Sequence, residues 1–217
     1  MPSLADTITL YQLEGITPSM QQQLEHYCQL LWSRNRQLNL TRHTDYEKFV
    51  SRDLLDSLQL SALIPPGLEV LDVGSGGGVP GIVLSILRPD LDISLAESVT
   101  KKALALNQIV EQLKLPVPVH DSRAESLLED LRFDLLVSRA VGPLWKICYW
   151  FQSSWHEFRC LLAIKGPRWV EERREARQRG LLVNVQLRKA ASYPMPGTES
   201  ESVILKIWSD GREEPLL

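Results

Sequence analysis

Residues 71–81 read LDVGSGGGVPG and hold five of the chain's twelve glycines, all within Gly74–Gly81. Glycine weakens regular structure, so such a cluster marks backbone with φ > 0 or a ligand lying directly on the main chain. Short apolar runs surround it: LEVLDV (68–73), DISLAE (92–97), VPVH (117–120), FDLLVS (133–138) and CLLAIK (160–165). Helical stretches such as Thr100 to Leu113 lie between them. This alternation predicts right-handed βαβ units and a mostly parallel sheet covered on both faces, an α/β fold. The glycines then follow the first strand and open a helix, where N–H groups point at a ligand. Farther on, LLVNVQLRK and SVILKIW flank a loop containing Pro and Gly, and predict two strands pairing antiparallel at the sheet edge.

Upstream, Leu24, Tyr27, Cys28, Leu31 and Leu38 recur at mostly helical spacing, which predicts an amphipathic helix from Ser19 to Leu38. A second helical pattern runs from Tyr46 to Leu63 and is broken by Pro65-Pro66-Gly67. A chain of 217 residues, 44% hydrophobic, is long enough for one sizeable core and predicts one domain. A net charge of −3 excludes a protein that grips nucleic acid through bulk positive charge, so any such contact must be local. Three cysteines, Cys28, Cys148 and Cys160, form no CxxC pair and predict reduced core thiols, with no metal site, in a cytoplasmic protein. Neither a leader-like N-terminus nor a run of about 18 apolar residues occurs, so no membrane association is expected.

The sequence Gly76 to Gly81 fits G-x-G-x-x-G, which leaves a dinucleotide-binding oxidoreductase open. Asp72 discriminates: a carboxylate beside the loop repels a pyrophosphate but favours a ligand bearing an ammonium and a sulfonium, which describes S-adenosylmethionine. A P-loop is excluded, because no Gly-Lys-Ser/Thr follows. Glu97 ends the second strand, where a carboxylate can accept both hydroxyls of a ribose and suits either nucleoside cofactor. After the third strand, Asp121-Ser-Arg-Ala-Glu125 offers the Ala124 N–H and a carboxylate to an adenine edge. Gly74, Gly76 and Gly78 are expected to let the cofactor approach the main chain. Arg139 ends the fourth strand at the carboxyl edge of the sheet, where it holds either a ligand or an ion pair with Asp134 or Glu157.

These residues resemble the bacterial small-subunit ribosomal RNA guanine-N7 methyltransferases, the glucose-inhibited division protein B group. The resemblance rests on the Trp32 helix, Asn39-Leu40-Thr41, Arg52, Leu55-Asp56-Ser57, LDVGSGGGVPGIVLSI, AESVTKK, SRAE, SRAV and Ala163-Ile164-Lys165-Gly166. It implies a seven-stranded Rossmann-like class I methyltransferase fold, with a helical cap over residues 1–66 and the core over 67–217. It also implies S-adenosylmethionine as cofactor, and cofactor contacts at Gly74, Val79, Ala124, Glu125 and Arg139. The implied partner is 16S ribosomal RNA or the small ribosomal subunit, met by a monomer. The chain departs from the family at Arg52-Asp53, where many members have Arg-His, and at Glu201-Ser202, where an Arg is common.

Guanine N7 carries an unprotonated, outward-facing lone pair, so its methylation requires no general base and rests on positioning and exclusion of water. The chain lacks both the Pro-Cys nucleophile of pyrimidine-C5 enzymes and the [N/D]-P-P-[Y/F] clamp of exocyclic-amine enzymes, which agrees with N7 and leaves other methyl acceptors open. For RNA contact the basic segments are 34–52, with Arg34, Arg36, Arg42 and Arg52, and 165–179, beginning at Lys165. Trp145, Trp150 and Trp155 are expected in the core or a lid, and His43 and His120 in structural roles.

Overall fold

The computed structural model describes residues 2–215; residues 1, 216 and 217 of the expected 1–217 span lie outside the described residues. Its sheet has seven strands: β1 (Glu69–Val73), β2 (Asp92–Ala96), β3 (Val119–His120), β4 (Leu135–Arg139), β5 (Cys160–Lys165), β6 (Val185–Pro194) and β7 (Glu201–Ser209). They lie in the order β3-β2-β1-β4-β5-β7-β6. The first five are parallel, and β7 runs antiparallel between β5 and β6. The expected edge hairpin is therefore present, with its later strand on the inside.

Consecutive residues of β1 belong to opposite layers, because side chains alternate across a strand. Val70 packs in the layer of α2 (Pro18–Leu38), α4 (Leu55–Ser61), α5 (Gly81–Leu87) and α6 (Thr100–Leu113). Leu71 and Val73 pack in the layer of α7 (Ala124–Asp130) and α8 (Leu144–Trp150). Both faces of the central strands are thus covered, which is why their sequences are apolar throughout rather than alternating. Cys28, Cys148 and Cys160 are buried and free, and burial holds the last two thiols at a pKa of about 12, in their protonated, unreactive form.

The helices before β1 share the first layer's core through Leu24, Tyr27, Leu31, Phe49, Val50 and Leu54. Thr17 caps α2 by accepting a hydrogen bond from the Met20 N–H at 3.2 Å, with Pro18 in the first turn, where its missing N–H is harmless. Asn39 ends the helix in the left-handed region, at φ 49°. The Asn35 side chain then holds Thr41 by two hydrogen bonds of 2.9 Å, one to its carbonyl and one from its N–H, which fixes the loop over the glycine cluster. A short helix before it, α1 (Leu4–Leu10), was not legible in the sequence; Ser3 and Asp6 form its capping box. The helical pattern at 46–63 is not one regular helix: α3 (Tyr46–Lys48) passes through a π-helical turn, Phe49–Leu54, into α4. The extra residue of a π turn shifts the helix face, and π turns are frequent where a helix serves a site.

Candidate active site

The glycine loop leaves β1 and is held from three sides. Its first two N–H groups, of Gly74 and Ser75, donate to the Ala96 carbonyl of β2 at 2.9 and 3.1 Å. From above, the buried Tyr27 of α2 donates its hydroxyl to the Gly77 carbonyl at 2.8 Å. From below, the Asp72 carboxylate accepts the Gly81 N–H at 3.0 Å, at the first turn of α5. Asp72 is buried, and burial pushes its pKa up to about 7 against the pull of that hydrogen bond. The carboxylate lies under the loop, with Oδ1 lacking a hydrogen-bond partner.

Three cavities open along the carboxyl edge of the sheet, where ligands of open α/β folds bind. The first, about 200 Å³, lies between Gly74, Ala96 and Ser98 on one side and Ser122, Ala124, Glu125, Val141 and Trp150 on the other. The second, about 250 Å³, shares Gly74 and continues over Gly76, Gly77, Val79, Glu97 and Lys102 to Arg139 and Ala140 beneath Leu31, Leu40 and Thr41. The third, about 800 Å³, shares Arg139 and Ala140 and is lined by His43, Arg52, Asp56, Pro143, Ile164, Lys165, Arg168, Glu172, Met195 and Ser202. Gly76 is at φ +56°, and a Cβ there would meet no atom closer than the Gly74 carbonyl oxygen at 3.8 Å. Its bareness leaves the second cavity open rather than relieving a clash. The two cavities joined at Gly74, with the carboxylates Glu97 and Glu125 at their walls beside Lys102 and Arg123, fit an adenosine bearing an amino-acid tail.

Arg139 stands at the wall between the second and third cavities. Its guanidinium donates to Asp56 at 2.9 Å and, through the other terminal nitrogen, to Asp53. Both acids come from the π turn and the first turn of α4, and Asp56 also accepts the Tyr193 hydroxyl at 2.7 Å. Asp53 in turn meets His43 Nδ1 at 2.7 Å. Burial alone lowers an arginine's pKa, but the Asp53 and Asp56 charges outweigh it and hold Arg139 above its usual value. The guanidinium is a fixed cation whose charge is more than matched by its two carboxylates.

A family profile described as "GidB: rRNA small subunit methyltransferase G" matches residues 20–198 of the chain. The chain belongs to the GidB family. It is 56% identical over 178 residues to the ribosomal RNA small subunit methyltransferase G of Rhodopirellula baltica, covering 82% of this chain and 77% of that one. The same-named protein of Lachnoclostridium phytofermentans is 33% identical over 215 residues, covering 94% and 84% of the two chains. Among solved structures, the chain resembles an MtNAS mutant in complex with S-adenosylmethionine, with a TM-score of 0.56, 16% identity, and 95% and 77% covered. It also resembles the precorrin-6y C5,15-methyltransferase of Geobacter metallireducens, with a TM-score of 0.53, 16% identity, and 71% and 86% covered. These likenesses show the Rossmann-like class I methyltransferase fold. Membership of the GidB family removes the oxidoreductase reading of G-x-G-x-x-G.

Within this GidB-family chain, the residues singled out from the sequence divide by position. Gly74, Gly76, Val79 and Glu97 line the second cavity, Ala124 and Glu125 the first, and Arg139 the second and third. Gly78 does not. It sits at φ +98°, and a Cβ would lie 2.6 Å from Ile82 Cδ1 and 3.3 Å from Leu106 Cδ2, so its bareness serves core packing. Both Glu97 oxygens are engaged, accepting the Gly76 N–H at 2.9 Å and the Val99 N–H at 2.8 Å, which ties the loop to the end of β2. Arg139 pairs with neither Asp134 nor Glu157; these bind Arg159 and Arg132. Lys165 is 7% exposed and bonded to Glu172 at 2.8 Å, so it is not a free cation for a phosphate. Arg36 and Arg42 are exposed, Arg34 is bound to Gln108, and Arg52 donates to the Pro196 carbonyl while lining the third cavity. Asp53 turns inward to Arg139, and Ser202 faces the third cavity. Trp155 is core, Trp150 lines the first cavity, and Trp145 lies under Arg179, 4.1 Å from its ring centroid. Among the described residues no metal-binding cluster occurs, and no helix is long and apolar enough to cross a membrane. Tyr27, Tyr193 and Glu172 were missed: no local motif marks them, and Tyr193 meets Asp56 across 137 positions.

Proposed function

We propose that the protein transfers a methyl group from S-adenosylmethionine to N7 of a guanine in 16S ribosomal RNA. Family membership supports the reaction class, and the observation that carries the assignment of sites is the wall formed by Arg139 and Ala140, which opens on one side to the nucleoside-sized cavities and on the other to the larger one. The cofactor supplies an electrophilic methyl on a sulfonium. Ala124 and Glu125 meet the adenine, Glu97 and the Gly74–Gly77 backbone the ribose and amino-acid end. Asp72 acts from beneath the loop, holding its shape and contributing negative charge near the cationic tail. The acceptor base enters the third cavity beside Ala140 and Pro143, and its N7 lone pair needs no proton removed.

Arg139 is a positioning residue in this reading. With two carboxylates on one guanidinium the cluster carries no surplus positive charge to hold a phosphate, but its geometry is rigid, and a rigid wall aligns acceptor with methyl. Phosphate contacts fall to the exposed cations Arg36 and Arg42 outside the cavity and to Arg168 at its lining. The protein acts as a cytoplasmic monomer, a cap of residues 1–66 closing over a core of 67–217. Mass analysis of 16S ribosomal RNA from a strain lacking the gene tests the function: one 7-methylguanosine should vanish and return when the wild-type chain is restored. An unchanged methylation pattern rejects it.

A further inference from the structure

Glu172 of α9 (Trp169–Gln178) is fastened through one oxygen only. Oε2 accepts the Leu144 N–H at 2.8 Å and the Lys165 Nζ at 2.8 Å, while Oε1 makes no hydrogen bond among the described residues. The side chain is 24% exposed and lines the third cavity, as do Arg139 and Pro143. Lys165, buried at the end of β5, neutralises the pair and prevents the carboxylate from swinging away. The free oxygen is thus a fixed acceptor on the cavity wall, and the other carboxylate of that lining, Asp56, has both oxygens taken up by Arg139 and Tyr193.

Among the four RNA bases only guanine presents two adjacent donors, N1–H and N2–H, on the edge remote from N7. Adenine offers an unprotonated N1 there, which a carboxylate repels. A base held on Glu172 by that edge lies in a cavity also lined by Pro143, Ile164 and Met195, and its N7, on the remote edge, is left free for the methyl donor beyond the Arg139–Ala140 wall. We propose that Glu172 is the residue that selects guanine, by accepting hydrogen bonds from its N1–H and N2–H. The idea rests on the methyltransferase reading above and adds to it how the base is chosen.

A site built to meet a donor rejects an analogue lacking it, because the acceptor, screened from water by the bound base, is left unpaired. The test uses small-subunit RNA assembled by ligation with either guanosine or inosine at the methylated position; inosine keeps N7 and N1–H and lacks the 2-amino group. Wild-type kcat/KM should be about tenfold or more higher on guanosine than on inosine. Glu172→Gln keeps an oxygen for Leu144 but places an amide against the base donors. It should lower kcat/KM on guanosine RNA at least tenfold and shrink the guanosine-to-inosine ratio to near one, with the Kd for S-adenosylmethionine unchanged. If the ratio is the same in wild type and Glu172→Gln, the carboxylate only braces Leu144 and Lys165, and the proposal falls alone. If wild type methylates neither RNA while binding S-adenosylmethionine, the functional reading falls and takes the proposal with it.

Discussion

Asp72 shows how a single carboxylate can be kept at a cost to the fold. An acid whose folded pKa, about 7, lies above its ordinary 3.8 binds its proton more tightly in the folded state. Its contribution therefore favours folding below about pH 4 and declines as pH rises to about 7, where the buried charge must be borne. Asp72→Asn retains an oxygen for the Gly81 N–H and removes that charge. The variant should be more stable than wild type at pH 8 by about 1–3 kcal/mol, with the gain gone at pH 4. Thermal melts at the two pH values check it; an equal shift at both refutes the burial penalty. The same variant should bind S-adenosylmethionine more weakly, by calorimetry, if the charge faces the cofactor's cationic tail. Gly76 and Gly78 make a second contrast at this scale. Gly78→Ala drives a methyl into Ile82 and Leu106 and should cost about 2 kcal/mol or more in stability, whereas Gly76→Ala carries only the left-handed strain of about 1 kcal/mol. The Gly76 methyl instead enters the cofactor cavity, so calorimetry should show the larger loss of cofactor affinity there. The glycine block announced a ligand loop in sequence, but which glycine faced the ligand was illegible, because Ile82 and Leu106 reach Gly78 only after α5 and α6 have packed.

The π turn at Phe49–Leu54 is the element on which the target side of the site depends. It brings Asp53 and Asp56 onto one guanidinium from positions 86 and 83 residues away in the chain. Arg139→Ala leaves two buried carboxylates without their cation and should lower stability by about 3–5 kcal/mol. Adding Asp53→Asn to it should recover part of the stability by removing one uncompensated charge. Methyl transfer should remain lost in the double variant, since the wall is not rebuilt. Denaturant unfolding and single-turnover kinetics separate the two effects, and recovery of turnover along with stability would assign Arg139 to folding alone. The sequence placed Arg139 correctly at the end of β4, since apolar runs and their ends follow local periodicity. It did not reveal the partners, because the periodicity of 46–63 reads as plain α-helix and a π turn leaves no compositional mark.

Across the whole molecule, the central parallel strands were legible because burial on both faces leaves unbroken apolar runs, and α6 because burial on one face leaves helical periodicity. The hairpin's order in the sheet was not, since β5 has no sequence feature that chooses β7 over β6. Charge also belongs to this scale. With a net charge of −3, RNA affinity must come from a few exposed cations. Replacing Arg36 and Arg42 with alanine should weaken RNA binding and reduce the slope of log affinity against log salt by about one for each phosphate no longer neutralised. The Kd for S-adenosylmethionine should not move. An unaltered slope would transfer the phosphate-binding role to Arg168 and the exposed face of α9.

The placement of β7 between β5 and β6 has a consequence for synthesis on the ribosome. Strand β5 is complete at Lys165, but its neighbour in the sheet, Glu201–Ser209, emerges 36 residues later. Through that interval the growing chain carries a strand of six buried positions, CLLAIK, with one edge unpaired. Such an edge is an invitation to foreign strands. Because β6 reaches the sheet only through β7, it cannot shield β5 in the meantime, and that edge stays open until the chain's own last strand arrives.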